Sequence, residues 1–293
     1  MAVSAFPGLS YCPADPADPT RQFDAYCAVQ GGAARTREKR PLLVFVHGGA
    51  WRSEDKNDHA DLARTLAEAT GSPVFVPNYR LTGRAHPNLR HPAHAEDVLQ
   101  FLEFLLLWQS DAIPELAAAL DASSGVYLIG HSCSAHMLAA IILDSDSATP
   151  SLAPTPQLLQ AVKGVIFSEG IYDLDALCHR FPKYHEWFID DAFGACEDYG
   201  QYNVSKYSLR RAKEGGRAAS WLIIHSKGDE LIDVAQSEAM YAQLCALYGD
   251  RAAAHVSQSL DTLSRGHDEI LRGDDGYIDL VRTFVQRVEG AQL

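Results

Sequence analysis

Apolar residues run without interruption from Leu42 to Val46. A short run with no polar position fits a strand covered on both faces, as strands of parallel sheets are. Behind it the period changes. Leu62, Leu66 and Ala69 fall at helical spacing within Asp55 to Thr70, and Gly71 stands where that helix would stop. The alternation continues along the chain. Strands are predicted over 72–80, 126–132, 162–170, 220–230 and 252–259, and helices over 91–110, 134–144, about 230 to Leu247, and 277–288. Strands separated by helices make βαβ units, so the fold class is α/β, with a mostly parallel central sheet flanked by helices.

Two segments break this rhythm. Residues 1 to about 40 carry the Pro/Asp punctuation ADPADPT and the polar, glycine-containing stretch GGAARTREKR, which reads as an irregular head. Residues 171–215 are rich in aromatics, histidine and charge (YHEWFIDDAF, YGQYNVSKYS), which reads as a small cap inserted over the carboxyl edge of the sheet. The whole chain, 1–293, reads as a single domain.

Composition narrows the function classes. A formal net charge of -13 disfavours nucleic acid and anionic membranes, whose phosphates would be repelled. The longest apolar stretch, FLEFLLLW (101–108), is too short to cross a bilayer, and the N-terminal stretch has no apolar core of a secretory signal. The six cysteines are scattered without a CxxC pair, so a reducing, cytoplasmic setting is expected.

The chemistry concentrates in GHSCSAH (130–136), where a predicted strand meets a predicted helix. A serine on such a turn has its hydroxyl thrust out at the carboxyl edge of the sheet. Gly130 supplies the close approach that G-x-S-x-G turns need, while Ser134 stands where a second glycine is usual. Ser132 is the candidate nucleophile. Cys133 is its rival, since a helix N-terminus favours a thiolate, but the residue after an elbow serine gives its N–H to the site and its side chain to packing. Upstream, HGGAW (47–51) offers N–H groups unobstructed by Cβ atoms, so Gly48, Gly49 and Cys133 are the candidate oxyanion hole. The acid of a Ser–acid–His order belongs after a late strand and the histidine after the last. Asp229 in HSKGDEL fits the first, with Glu230 and Asp233 as neighbours, and His267 in SRGHDEI fits the second. His86, His91 and His94 with Asp97 raise a metal reading, weighed against solvated polar residues at a helix start; no metal is assigned.

With these residues placed, the chain resembles the kynurenine formamidases (arylformamidases) of the fungal, metal-independent α/β-hydrolase type. HGGAW, NYRL (78–81), GHSCSAH, EGIYDL (169–174), HSKGDEL (225–231) and GHDEI (266–270) occur in the expected order. The departure is Ser134 for glycine. The resemblance implies an α/β-hydrolase fold and hydrolysis of N-formyl-L-kynurenine to formate and L-kynurenine, a step of tryptophan catabolism. The expected mechanism uses Ser132, His267 and Asp229 through a formyl-enzyme and calls for no cofactor. Trp51, Tyr79 and Tyr172 are candidate substrate contacts, each equally suited to core packing. A general carboxylesterase and a non-catalytic hydrolase-fold binding protein are the alternatives. The oligomeric state is left open, a homodimer included.

Overall fold

The computed structural model describes residues 2–29, 40–108, 113–117, 122–210 and 218–291. Eight strands form one sheet. In chain order they are β1 (Ala2–Ser10), β2 (Gln22–Val29), β3 (Leu42–Val46), β4 (Val74–Pro77), β5 (Val126–His131), β6 (Val162–Ser168), β7 (Ser220–Ser226) and β8 (Val256–Leu263). Their spatial order is β1-β2-β4-β3-β5-β6-β7-β8. β1, β2 and β4 pair antiparallel; from β4 through β3 to β8 every pair is parallel.

The alternating side chains of the central strands feed two cores. Val44, Val46 and Leu128 pack with the helices α2 (Ala93–Leu107), α3 (Cys133–Ile142) and α5 (Val234–Tyr248) on one face. Leu43, Phe45 and Ile129 pack with α1 (Ala60–Thr70) and α6 (Asp275–Gly290) on the other. The five residues of β3 are all fully buried, which is why the segment reads as a continuous apolar run. Each such side chain contributes about 1.5–3 kcal/mol by leaving water. Local signals set the helix ends. Asp55 and Asp58 form a capping box on the turn leading into α1, Gly71 ends that helix at φ 70°, and Asp274 caps α6 through the N–H groups of Gly276 and Tyr277.

The head is not irregular. Its residues 2–10 and 22–29 form the antiparallel edge of the sheet, with a register shift between Phe6 and Leu9. Pro7 and Gly8 sit in that bulge, where a proline removes no ladder bond and the Gly8 N–H finds Asp24 Oδ1 at 2.9 Å. Most of GGAARTREKR lies outside the described residues. The last strand also begins later than expected, because Ala252–His255 form a helical turn. The segment read as a cap contains α4 (Leu174–Arg180), a π-helical turn at His185–Ile189 and the short helix Asp190–Phe193. Its final strand, Ser208–Leu209, pairs with Leu143–Asp144 in a separate ribbon; residues 211–215 lie outside the described residues.

Candidate active site

β5 ends at His131 and α3 begins at Cys133, leaving Ser132 alone on the turn at φ 55°, ψ -123°. A non-glycine residue in that region is strained by on the order of 1–3 kcal/mol and persists where its surroundings fix it. Here the Ser132 N–H donates to Ser168 O at 3.0 Å, and its carbonyl accepts from Ala135 and Ile171. Gly130 is required by the approach of the helix: a Cβ there would lie 2.9 Å from Ala135 N. Ser134 does more than replace a glycine. Its hydroxyl lies 2.6 Å from Val46 O and 2.8 Å from His131 O as a donor, and accepts the His131 N–H at 2.8 Å. It ties the elbow to β3.

The glycine loop lies against this elbow. A Cβ on Gly48 would stand 3.2 Å from Ser132 Cβ. Gly49, Ala50 and Trp51 all have positive φ, at 85°, 51° and 58°. The Gly49 carbonyl accepts from the Arg52 and Ser53 N–H groups, which closes the turn. A Cβ on Gly49 would stand 2.1 Å from Ser53 O, so both the space and the backbone demand glycine.

The Cys133 side chain is fully buried. Its sulfur accepts the Trp51 N–H at 3.3 Å and lies 3.8 Å from the Tyr79 hydroxyl, so the thiol fastens the glycine loop to the helix. Burial pushes it up to about 12, so thiolate is scarce at neutral pH. Iodoacetamide is therefore expected to alkylate the exposed Cys196 in the folded protein while leaving Cys133 unmodified, read by peptide mass spectrometry.

The loops after β7 and β8 bring Asp229 and His267 together. His267 Nδ1 lies 2.9 Å from Asp229 Oδ2. Asp229 Oδ1 accepts from the N–H groups of Leu231 and Ile232 at 2.8 and 2.9 Å. Burial would raise the Asp229 carboxyl, but His267 and these two N–H groups outweigh it and hold it below the usual range. Glu230 supports the other partner, accepting the His267 N–H at 3.1 Å, and Asp233 precedes α5 as its N-cap. The His267 ring stands 4.6 Å from the ring of His131, which places it beside the elbow. Among the described residues the Ser132 hydroxyl makes no hydrogen bond to His267. Such bonds commonly tighten when substrate binds.

The three residues expected as substrate contacts or as core packing all lie buried. Tyr79, Trp51 and Tyr172 are 1%, 0% and 0% exposed, so none lines a space that water reaches. The Tyr79 hydroxyl donates toward Gly48 O at 2.7 Å, with His47 O at 3.2 Å, and its ring stacks on His47 at 4.4 Å. It holds the glycine loop by its carbonyls. Trp51 packs edge-on against Phe193 and His136, under the cap. Tyr172 packs on Phe167, with its hydroxyl 2.3 Å from where a Gly170 Cβ would stand. Their positions past strand ends suit contact with a ligand as well as with the core; at Trp51 it is the cap's Phe188 and Phe193 that cover the ring. The cap is itself fastened to the glycine loop and to the loop that carries Asp229. Arg52 bonds the Trp187 carbonyl and faces Asp191 at 3.8 Å, and the Tyr184 hydroxyl donates to Leu231 O at 2.8 Å.

The candidate metal residues do not converge. Asp97 is bonded by Arg80 and Arg21, His94 by Thr82, and His91 packs on Phe193. Among the described residues, His131, Glu169 and His267 bring one donor atom each within 4.8 Å of one another. His267 also bonds Asp229, so two carboxyls stand at its Nδ1. His131 is neutral there, lowered by burial and by His267, with Nδ1 3.2 Å from Ser168 Oγ. His136 is also neutral, pushed down to about 4 by burial, and bonds Tyr202 O. Glu169 is the residue that sequence reasoning passed over. It follows β6 at φ 51°, is fully buried, and sets Oε2 3.3 Å from His267 Nδ1. The available signal was a lone carboxyl directly after the strand VKGVIFS, buried but for Lys163.

Comparison with known proteins gives the family and the fold. The family model described as BD-FAE matches residues 32–244. Kynurenine formamidase of Meyerozyma guilliermondii is 31% identical over 200 residues, covering 68% of this chain and 69% of that protein. The kynurenine formamidase of Eremothecium gossypii is 27% identical, covering 73% and 85%. Among solved structures, an inhibited esterase B from Lactobacillus rhamnosis superposes with a TM-score of 0.72 at 17% identity, covering 99% of this chain and 88% of that one, which shows the shared fold. With its sheet order, its elbow and relatives matched along most of its length, the chain belongs to the kynurenine formamidase family of α/β-hydrolases.

Proposed function

We propose that the protein hydrolyses the aryl formamide of N-formyl-L-kynurenine, with Ser132 as nucleophile, His267 as base and Asp229 as its orienting acid. The observation that carries the reading is the 2.9 Å Asp229–His267 bond set beside a serine held in a left-handed turn, in a chain whose relatives are named kynurenine formamidase. Asp229 fixes the proton on Nδ1, leaving Nε2 free to accept. Ser132 attacks the formyl carbon and its proton passes to His267. The N–H groups of Gly48, Gly49 and Cys133 are assigned to the oxyanion, at the start of α3 where the helix dipole also favours negative charge. His267 then protonates the leaving arylamine, and water activated by the same imidazole frees formate from the serine. None of these steps requires a metal or an organic cofactor. The assignment extends to a small-molecule substrate and a cytoplasmic setting; no helix among the described residues is long and apolar enough to cross a membrane.

The test sets N-formyl-L-kynurenine against a short nitrophenyl ester, each with purified protein and with a chelator control. The formamide is expected to be the better substrate by kcat/KM, with chelator without effect. Ester turnover with the formamide untouched would favour a general carboxylesterase, and turnover of neither would favour a binding protein.

A further inference from the structure

We propose that Glu169 is a second positioning carboxyl for His267, facing the Nδ1 edge of the imidazole alongside Asp229 and able to hold that edge when Asp229 is removed. The inference rests on the assignment of His267 as the base. Glu169 reaches His267 from a different strand than Asp229: it follows β6, while Asp229 follows β7. Its Oε1 accepts the Ser226 N–H at 3.2 Å, which fixes the carboxyl, and its Oε2 makes no hydrogen bond among the described residues while standing 3.3 Å from His267 Nδ1. A fully buried carboxyl oxygen without a partner is costly. So is a glutamate at φ 51°. Two costs at one residue, both aimed at the base, mark a function and not packing.

The surroundings explain why a second acid is tolerated. Around Glu169 stand Asp229 and Glu230 from the loop after β7, His267 and Asp268 from the loop after β8, His131 from the elbow, Tyr277 from α6 and Tyr172 from its own segment. Burial first, then the negative charge of Asp229, push its carboxyl up to about 10. It is therefore neutral at working pH and adds no second charge beside Asp229. Its Oε2 faces the imidazole edge that turns positive when Ser132 gives up its proton, and so solvates the imidazolium. With Asp229 gone, burial still holds the Glu169 carboxyl up but the like charge beside it is lost, and its Oε2, 3.3 Å from Nδ1, is the carboxyl oxygen left to accept from that edge.

The experiment compares wild type, Glu169→Gln, Asp229→Ala and the double variant. It reads the rate at which a fluorophosphonate labels Ser132, which needs the base but not the natural substrate, alongside kcat and KM for N-formyl-L-kynurenine and melting temperature against pH. Glu169→Gln is expected to slow labelling and kcat about five- to tenfold with KM unchanged, the worth of roughly one hydrogen bond. The double variant is expected to label at least about tenfold more slowly than Asp229→Ala, because the substitute acid is lost. The melting data separate positioning from mere structure. A carboxyl raised in the folded state keeps a proton that the unfolded chain releases, so its stability contribution is full below the ordinary carboxylate range and is lost as pH rises toward about 10. Glu169→Gln removes that loss and should melt higher than wild type near pH 9, with the gap shrinking near pH 5. Unchanged labelling in Glu169→Gln, a double variant equal to Asp229→Ala, or slowed labelling accompanied by a lower melting temperature near pH 9 would each overturn the proposal. If wild type labels at Ser132 but leaves the formamide intact, the substrate assignment fails and Glu169 is still judged on labelling.

Discussion

Ser132→Ala is expected to lower kcat for N-formyl-L-kynurenine by on the order of 10⁶-fold, to the level that binding and oxyanion donors alone sustain. The fold should survive the change. Among the described residues the Ser132 hydroxyl has no hydrogen bond that supports the structure; its backbone N–H and carbonyl carry the links to Ser168, Ala135 and Ile171, and alanine keeps both. Alanine also meets the same positive φ at no greater cost than serine. No neighbour is placed to substitute. Cys133 is turned under the glycine loop with its thiol pushed up to about 12, and the Ser134 hydroxyl is occupied by Val46 and His131. The measurement is steady-state turnover with a melting curve, and mass spectrometry after fluorophosphonate treatment. Turnover within a hundredfold of wild type in a folded variant would remove Ser132 from the nucleophile's role.

The strand–turn–helix elbow that carries Ser132 was legible in sequence because several independent constraints meet there. A buried parallel strand reads as an apolar run whatever surrounds it, and the order of strands places the elbow and the loops carrying Asp229 and His267 at one edge. The antiparallel edge was not legible for the opposite physical reason. β1 is half exposed, so it needs no continuous apolar run, and Pro7 and Gly8 interrupt it at a bulge that looks like loop punctuation. Aromatic side chains past strand ends were ambiguous because direction, not identity, decides their role. Tyr79 turns inward, where its hydroxyl gives the buried Gly48 carbonyl a donor. Glu169 escaped notice because neither a positive φ nor the angle between two loops is written in a single residue.

Asp229→Asn is expected to lower kcat by about 10⁴-fold with little change in KM, an effect far larger than the loss of one charge would produce. The reason lies in which atom each neighbour demands. The Leu231 and Ile232 N–H groups both donate to Oδ1, so an asparagine must turn its carbonyl oxygen toward them. Its NH₂ then takes the place of Oδ2, 2.9 Å from His267 Nδ1. A donor facing Nδ1 forces that nitrogen to accept, which moves the imidazole proton to Nε2. The base then presents an N–H to Ser132 and has no lone pair for the serine's proton. Glu169 offers no relief in this variant, because the asparagine amide still occupies the Nδ1 edge; in Asp229→Ala that edge is open. Asp229→Asn is therefore expected to be slower than Asp229→Ala, although it is the more conservative change in shape. Nitrogen NMR of the histidine ring would read the tautomer directly. An Asp229→Asn enzyme within tenfold of wild type, or one faster than Asp229→Ala with the proton still on Nδ1, would contradict the assignment of Asp229 as the acid that sets the base.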